Sequence, residues 1–106
     1  MSWRAIILAL ALCFFSAMTC GKAAADGDQR FTAANEAYSR GDYQRAITLY
    51  EEVLAAVGYS PHLLYNLGNS YARAGETGRA GLAYERGLRL APDDADLQGS
   101  LQLLRR

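Results

Sequence analysis

The chain has 106 residues, 51% of them apolar and 21% charged, with only two prolines. That composition excludes a disordered segment and leaves room for at most one domain. Eleven basic and eleven acidic residues cancel over the full length, which removes the electrostatic case for a nucleic-acid partner.

The chain opens with a short basic start, Met1 to Arg4, followed by an apolar run from Ala5 to Met18 broken only by Ser16. Small residues Ala23, Ala24 and Ala25 then precede Asp26. This order predicts a secretory signal peptide over 1–25, cleaved after Ala25. The apolar run is shorter than the ~20 residues of a spanning helix, which disfavours the alternative of an uncleaved anchor. Cleavage leaves residues 26–106 as the domain, with nine basic against eleven acidic residues and a net charge of −2. Both cysteines, Cys13 and Cys20, fall in the leader, so the expected mature domain has no disulfide framework. Lipid attachment at Cys20 is a further alternative. Membrane association is expected only if the leader is retained or Cys20 is lipidated, and otherwise the location is periplasmic or secreted.

The next segments repeat. Comparing Gly27–Ser60 with Pro61–Asp94 at a shift of 34 residues gives seven identities: Asn35/Asn69, Gly41/Gly75, Arg45/Arg79, Ala46/Ala80, Tyr50/Tyr84, Glu51/Glu85 and Leu54/Leu88. Roughly two would be expected of unrelated segments of this composition. The helix punctuation follows the same register. Asp28 is expected to cap a first helix that ends near Arg40 at Gly41, and Asp42 a second that ends near Val57 to Gly58. Ser60 and Pro61 open a third helix that stops at Gly75, and a fourth runs from about Thr77 to Leu90. Pro92 ends it, and Asp93 or Asp94 caps a fifth from about Ala95.

Hairpins whose helices approach closely need small residues at the crossing, and Ala34, Ala46, Gly68, Ala80 and Gly87 sit where the repeat family that this register resembles, the tetratricopeptide repeat, wants them. A glycine within a helix costs ~0.5–1 kcal/mol relative to alanine. Close packing explains Gly68 and Gly87; it does not explain Gly81. The expected core is Leu49, Tyr50, Leu54, Leu67, Tyr71, Tyr84, Leu88 and Leu90. Leu97 and Leu101 repeat Leu63 and Leu67 one period later, so the fifth helix is expected to cover the last hairpin with one apolar face. Leu103 lies off that stripe.

Leu64, Leu67, Gly68 and Tyr71, then Ala80, Tyr84 and Pro92, form a pattern that resembles the tetratricopeptide repeat (TPR). The resemblance implies an all-α, right-handed solenoid: repeat one over about 27–60, repeat two over about 61–94, and a capping helix over about 95–106. It also implies a protein-binding scaffold. Catalysis is not expected. His62 is the single histidine and falls in the first turn of a helix without a serine and carboxylate to serve it. Gly75-Glu76-Thr77-Gly78 lacks the lysine of a phosphate loop. A lone histidine without cysteines offers no metal site, and no cofactor is expected.

In a TPR array the first helix of each hairpin lines the concave side. Helical spacing puts Phe31, Asn35 and Tyr38 on one such face and Tyr65, Asn69 and Arg73 on the next, with Asn66 at its edge. Asparagine amides both donate to and accept from an extended peptide backbone, and the aromatic rings add contact at little entropic cost. Asn69 also follows Leu67 and Gly68 as in many TPR sequences, so a purely structural duty stays open. Compared with the TPR domains that grip the carboxylate tail of cytosolic chaperones, Asn35 and Asn66 match, but Phe31, Asp96 and Ser100 stand where those domains carry cations. A second reading makes the protein a self-assembling component, a homo-oligomer joined end to end through Leu97, Leu101, Leu103 and Leu104. Its motive is size, because stacked repeats generally need about three units for stability.

Ala34-Asn35-Glu36-Ala37-Tyr38, Gly41-Asp42-Tyr43, Tyr65-Asn66-Leu67-Gly68-Asn69 and Tyr84-Glu85-Arg86, in that order and spacing, resemble the TPR protein of the bacterial Bat (aerotolerance) operon. That resemblance implies an envelope protein acting with von Willebrand A-type proteins and a MoxR-type ATPase.

Overall fold

A computed structural model of the chain describes Trp3 and residues 27–106. The expectations placed on the leader, its cleavage after Ala25 and lipidation at Cys20 lie outside the described residues. The described residues form helices and the turns between them, with no strand.

Residues 27–39 belong to helix α1. Four further helices follow: α2 over Tyr43–Val57, α3 over Pro61–Arg73, α4 over Thr77–Leu90 and α5 over Ala95–Leu104. Residues 27 and 28 are already helical, so Asp28 is not the cap expected of it. The other caps form as the sequence dictates. Asp42 and Asp94 accept from the backbone N–H of Arg45 and Leu97, and Ser60 Oγ accepts from Leu63 N–H at 3.2 Å. Each satisfies one of the donors that a helix start leaves free. α4 has no such side-chain cap.

Both hairpin turns have one geometry, repeated at the 34-residue register. Asp42 N–H donates to Ala37 C=O at 2.9 Å, and Glu76 N–H donates to Tyr71 C=O at 2.8 Å. Those six-to-one bonds require a left-handed residue just past the helix, supplied by Gly41 at φ +78° and Gly75 at φ +84°.

The helices stack as hairpins: α1 packs on α2 through Asn35 and Phe31 against Tyr50, α3 packs on α4, and α5 lies along α4. Ala34, Ala46 and Ala80 are wholly buried at the crossings. A Cβ on Gly68 would stand 2.5 Å from the Tyr84 ring, and one on Gly87 would stand 2.9 Å from Leu97. One on Gly81 would meet only Leu104, at an ordinary 3.5 Å. Gly68 and Gly87 therefore set how close the helices lie, and Gly81 does not.

Tyr50, Leu67, Tyr71 and Tyr84 are buried, while Leu49, Leu54 and Leu88 are half-buried against them. Leu90 is 53% exposed, contrary to its expected place in the core. It stands on the last residue of α4, beyond the reach of α5. The core also contains residues that the expected core left out, chiefly Leu64, Val53 and Ile47. Arg105 ties α5 to Glu85 of α4 at 2.6 Å.

Candidate peptide-binding groove

Helices α1, α3 and α5 share one side of the stack, and two adjoining concavities open there. The first, about 170 Å³, is lined by Asn35, Tyr38, Ser39, Tyr50, Asn66 and Asn69. The second, about 350 Å³, is lined by Tyr38, Asn69, Arg73 and Tyr84, together with Ala72, Thr77, Ser100, Leu103 and Leu104. Tyr38 and Asn69 belong to both, so the two form one groove running across the three helices. Five expected residues, Asn35, Tyr38, Asn66, Asn69 and Arg73, are brought together in it. Phe31 and Tyr65 are not among the lining side chains. Phe31 packs edge-on against Tyr50 with ring centres 5.9 Å apart, and lies 5.7 Å from the ring of His62. Tyr65 is half-buried against the core.

Asn35 and Asn69 each hold a tyrosine of the paired helix. Tyr84 hydroxyl donates to Asn69 Oδ1 at 2.6 Å, and Tyr50 hydroxyl donates to Asn35 Oδ1. Burial pushes both phenols up to about 12, so they remain neutral donors at physiological pH. With its oxygen turned to a tyrosine, each of these two amides has two N–H donors that bond no described side chain or backbone group. The asparagines therefore close the hairpins and present donors together. Asn66 makes no side-chain hydrogen bond with a described residue; only its backbone carbonyl is used, accepting from Ser70 Oγ at 2.9 Å.

Among the described residues, Arg73 is the single charged one lining the groove. Its Nε and Nη2 donate to Tyr43 hydroxyl at 3.1 and 2.9 Å, and the guanidinium lies 5.4 Å from the centre of that ring. The hydroxyl contact is the main cause of a pKa raised above the usual arginine value. Tyr43 in turn meets Tyr38 edge-on at 5.4 Å. Tyr43, Ser39 and the two buried tyrosines were not expected at this site. The 34-residue identities contained the signal, since Asn35/Asn69 and Tyr50/Tyr84 recur together at a constant separation of 15 residues.

The surface expected to join two copies divides. Leu97 is fully buried and Leu101 nearly so, both inside this chain's own core, so neither can reach a second copy. Leu104 is half-buried against the same core. Leu103 is 68% exposed and lines the groove. It stands one 34-residue period after Asn69, which explains why it falls off the apolar stripe.

Among the described residues no group of three or more His, Cys, Asp or Glu comes together to hold a metal ion. None of the described helices is long and apolar enough to cross a membrane.

A family model for the tetratricopeptide repeat matches residues 31–95. The chain belongs to the tetratricopeptide-repeat family. The match spans both TPR hairpins and reaches the first residue of α5. Comparison with curated proteins gave no match. TPR arrays mediate protein–protein interaction, and the all-helical TPR fold is typically a non-catalytic scaffold.

Proposed function

We propose that this TPR protein is an exported, non-enzymatic adaptor that holds an extended segment of a partner protein in the groove of α1, α3 and α5. The observation that carries the reading is the orientation of Asn35 and Asn69, whose oxygens face inward to tyrosines. Their N–H donors remain for the carbonyls of an extended backbone. Export rests on the leader-like residues 1–25. The setting we propose is a Bat-type bacterial envelope complex with its von Willebrand A-type proteins and MoxR-type ATPase, on the strength of the motif order in residues 34–86.

The test uses capture from envelope extracts by the wild-type chain and by Asn66→Ala with Arg73→Ala. Neither residue closes a hairpin, so the variants keep the wild-type helical signal and melting temperature and lose the partner. Capture unchanged by both substitutions sinks the groove assignment. Cell fractionation with N-terminal sequencing of the mature protein tests export and cleavage after Ala25.

Self-assembly is the second reading, favoured by the 68% exposure of Leu103 on α5. A protein that sediments as a monomer at high concentration, with or without Leu103→Ser, removes it.

A further inference from the structure

The groove is chemically uneven from one end to the other, and the unevenness specifies what fits it. At the α1 and α3 crossing the walls are amide and hydroxyl groups: Asn35, Ser39, Asn66 and Asn69. Toward α5 the aliphatic side chains of Ala72, Leu103 and Leu104 join them, beside the hydroxyls of Thr77, Tyr84 and Ser100 and the guanidinium of Arg73. None of the described lining residues is a carboxylate. The ion pairs among the described residues join Arg30 to Glu52, Arg79 to Glu76 and Arg105 to Glu85, and none involves Arg73. Its positive charge is held in place by a neutral hydroxyl instead. Two of its five N–H donors are used there, and the rest are left for an acceptor.

We infer that the groove takes a peptide segment carrying an acidic side chain, set against Arg73, beside an aliphatic one, set against Leu103 and Leu104. This rests on the groove reading above. Charge complementarity identifies the acid: a fixed guanidinium on a wall of donors, with no carboxylate to neutralise it, attracts an anion and disfavours a cation. One guanidinium rather than a cluster of cations suits a side-chain carboxylate in mid-segment. Leu103 identifies the neighbour, because an exposed leucine in a concavity is the place where an aliphatic side chain loses most water on binding. Neighbouring helices lie roughly 8–10 Å apart and an extended chain advances ~3.3 Å per residue, so a segment of about six residues crosses α1, α3 and α5.

The experiment selects random octapeptides, displayed internally between fixed flanks so that no free C-terminus is offered, on the immobilised full chain and on Arg73→Glu and Leu103→Ser. Circular dichroism checks that all are folded. The wild-type pool is expected to enrich Asp or Glu together with Leu, Ile or Met in the same peptides. On Arg73→Glu the acids should give way to Lys and Arg, and on Leu103→Ser the acids should persist while the aliphatic preference disappears. Replacing the acid of a selected peptide by its amide should weaken binding roughly fivefold. A wild-type pool without acids, or acids retained on Arg73→Glu, overturns the inference. If those peptides still lose binding to Asn66→Ala, the groove reading survives alone. Peptides indifferent to all three substitutions, or no enrichment at all, overturn both.

Discussion

Tyr84 and Asn69, 15 residues apart, close the second hairpin from within, the phenolic hydroxyl donating to the amide oxygen across 2.6 Å. Tyr50 and Asn35, also 15 residues apart, do the same one repeat earlier. A buried hydrogen bond of this kind is worth about 1 kcal/mol net. Tyr84→Phe should lower stability by about that amount, and Tyr50→Phe likewise. The two pairs share no partner, so the double variant should add to within ~0.5 kcal/mol. Urea midpoints at unchanged slope measure this; midpoints equal to wild type would show that the pairs do not lock the hairpins.

The glycines of the helices should separate cleanly. Gly68→Ala forces a Cβ to 2.5 Å from a rigid, buried tyrosine ring, an overpacking cost of about 1–3 kcal/mol. Gly87→Ala meets the flexible end of Leu97 and should cost less. Gly81→Ala meets nothing closer than 3.5 Å, so it should stabilise the chain by ~0.5–1 kcal/mol, because an alanine leaves the unfolded chain less conformational entropy to lose on folding. Thermal melts that rank the three differently would overturn this account of the crossings.

Alkaline pH should unfold the protein in a defined window. Tyr50, Tyr71 and Tyr84 are each pushed up to about 12 from 10.0, chiefly by burial, with a hydrogen bond to Glu51 adding to the shift at Tyr71. A raised folded-state value makes the unfolded chain lose its protons first. The stabilisation is therefore fully present below pH 10 and is lost as pH rises toward 12. Absorbance of phenolate followed alongside helical ellipticity should show these three tyrosines ionising together with unfolding. Ionisation near pH 10 in a fully helical protein would contradict their burial.

Two leucines of α5 should behave as opposites. Leu97 has no exposed surface and fills the space against Gly87, so Leu97→Ala should cost about 2–5 kcal/mol. Leu103→Ser, at a site 68% exposed, should leave the melting temperature within error. A large loss from Leu103→Ser would mean that this residue supports the fold rather than the groove.

The repeat register and helix ends were legible because glycine, proline and cap residues act locally. Gly41 and Gly75 have the left-handed backbone expected of them, and Asp42, Ser60 and Asp94 cap their helices. Residues whose fate depends on a neighbouring helix were less legible. Leu90 matches the apolar periodicity of α4, yet no helix reaches it; Leu64 is buried because α3 lies between α2 and α4, which its own helix does not reveal. Five of the seven expected groove residues share the groove. Phe31 is drawn away by packing on Tyr50, and Tyr65 by the core. Tyr43 escaped notice because its contact with Arg73 spans 30 residues, outside any single helix pattern.

The paired Asn and Tyr contacts make the lining of the groove and the interior of each hairpin mechanically continuous. A ligand that engages the Asn69 amide also fixes the acceptor on which Tyr84 depends. Occupancy should therefore be felt at depth, as slower hydrogen exchange of α4 amides beyond Tyr84, on residues that do not line the groove. In this small solenoid, one side chain per repeat belongs both to the lining of the groove and to the closure of the hairpin.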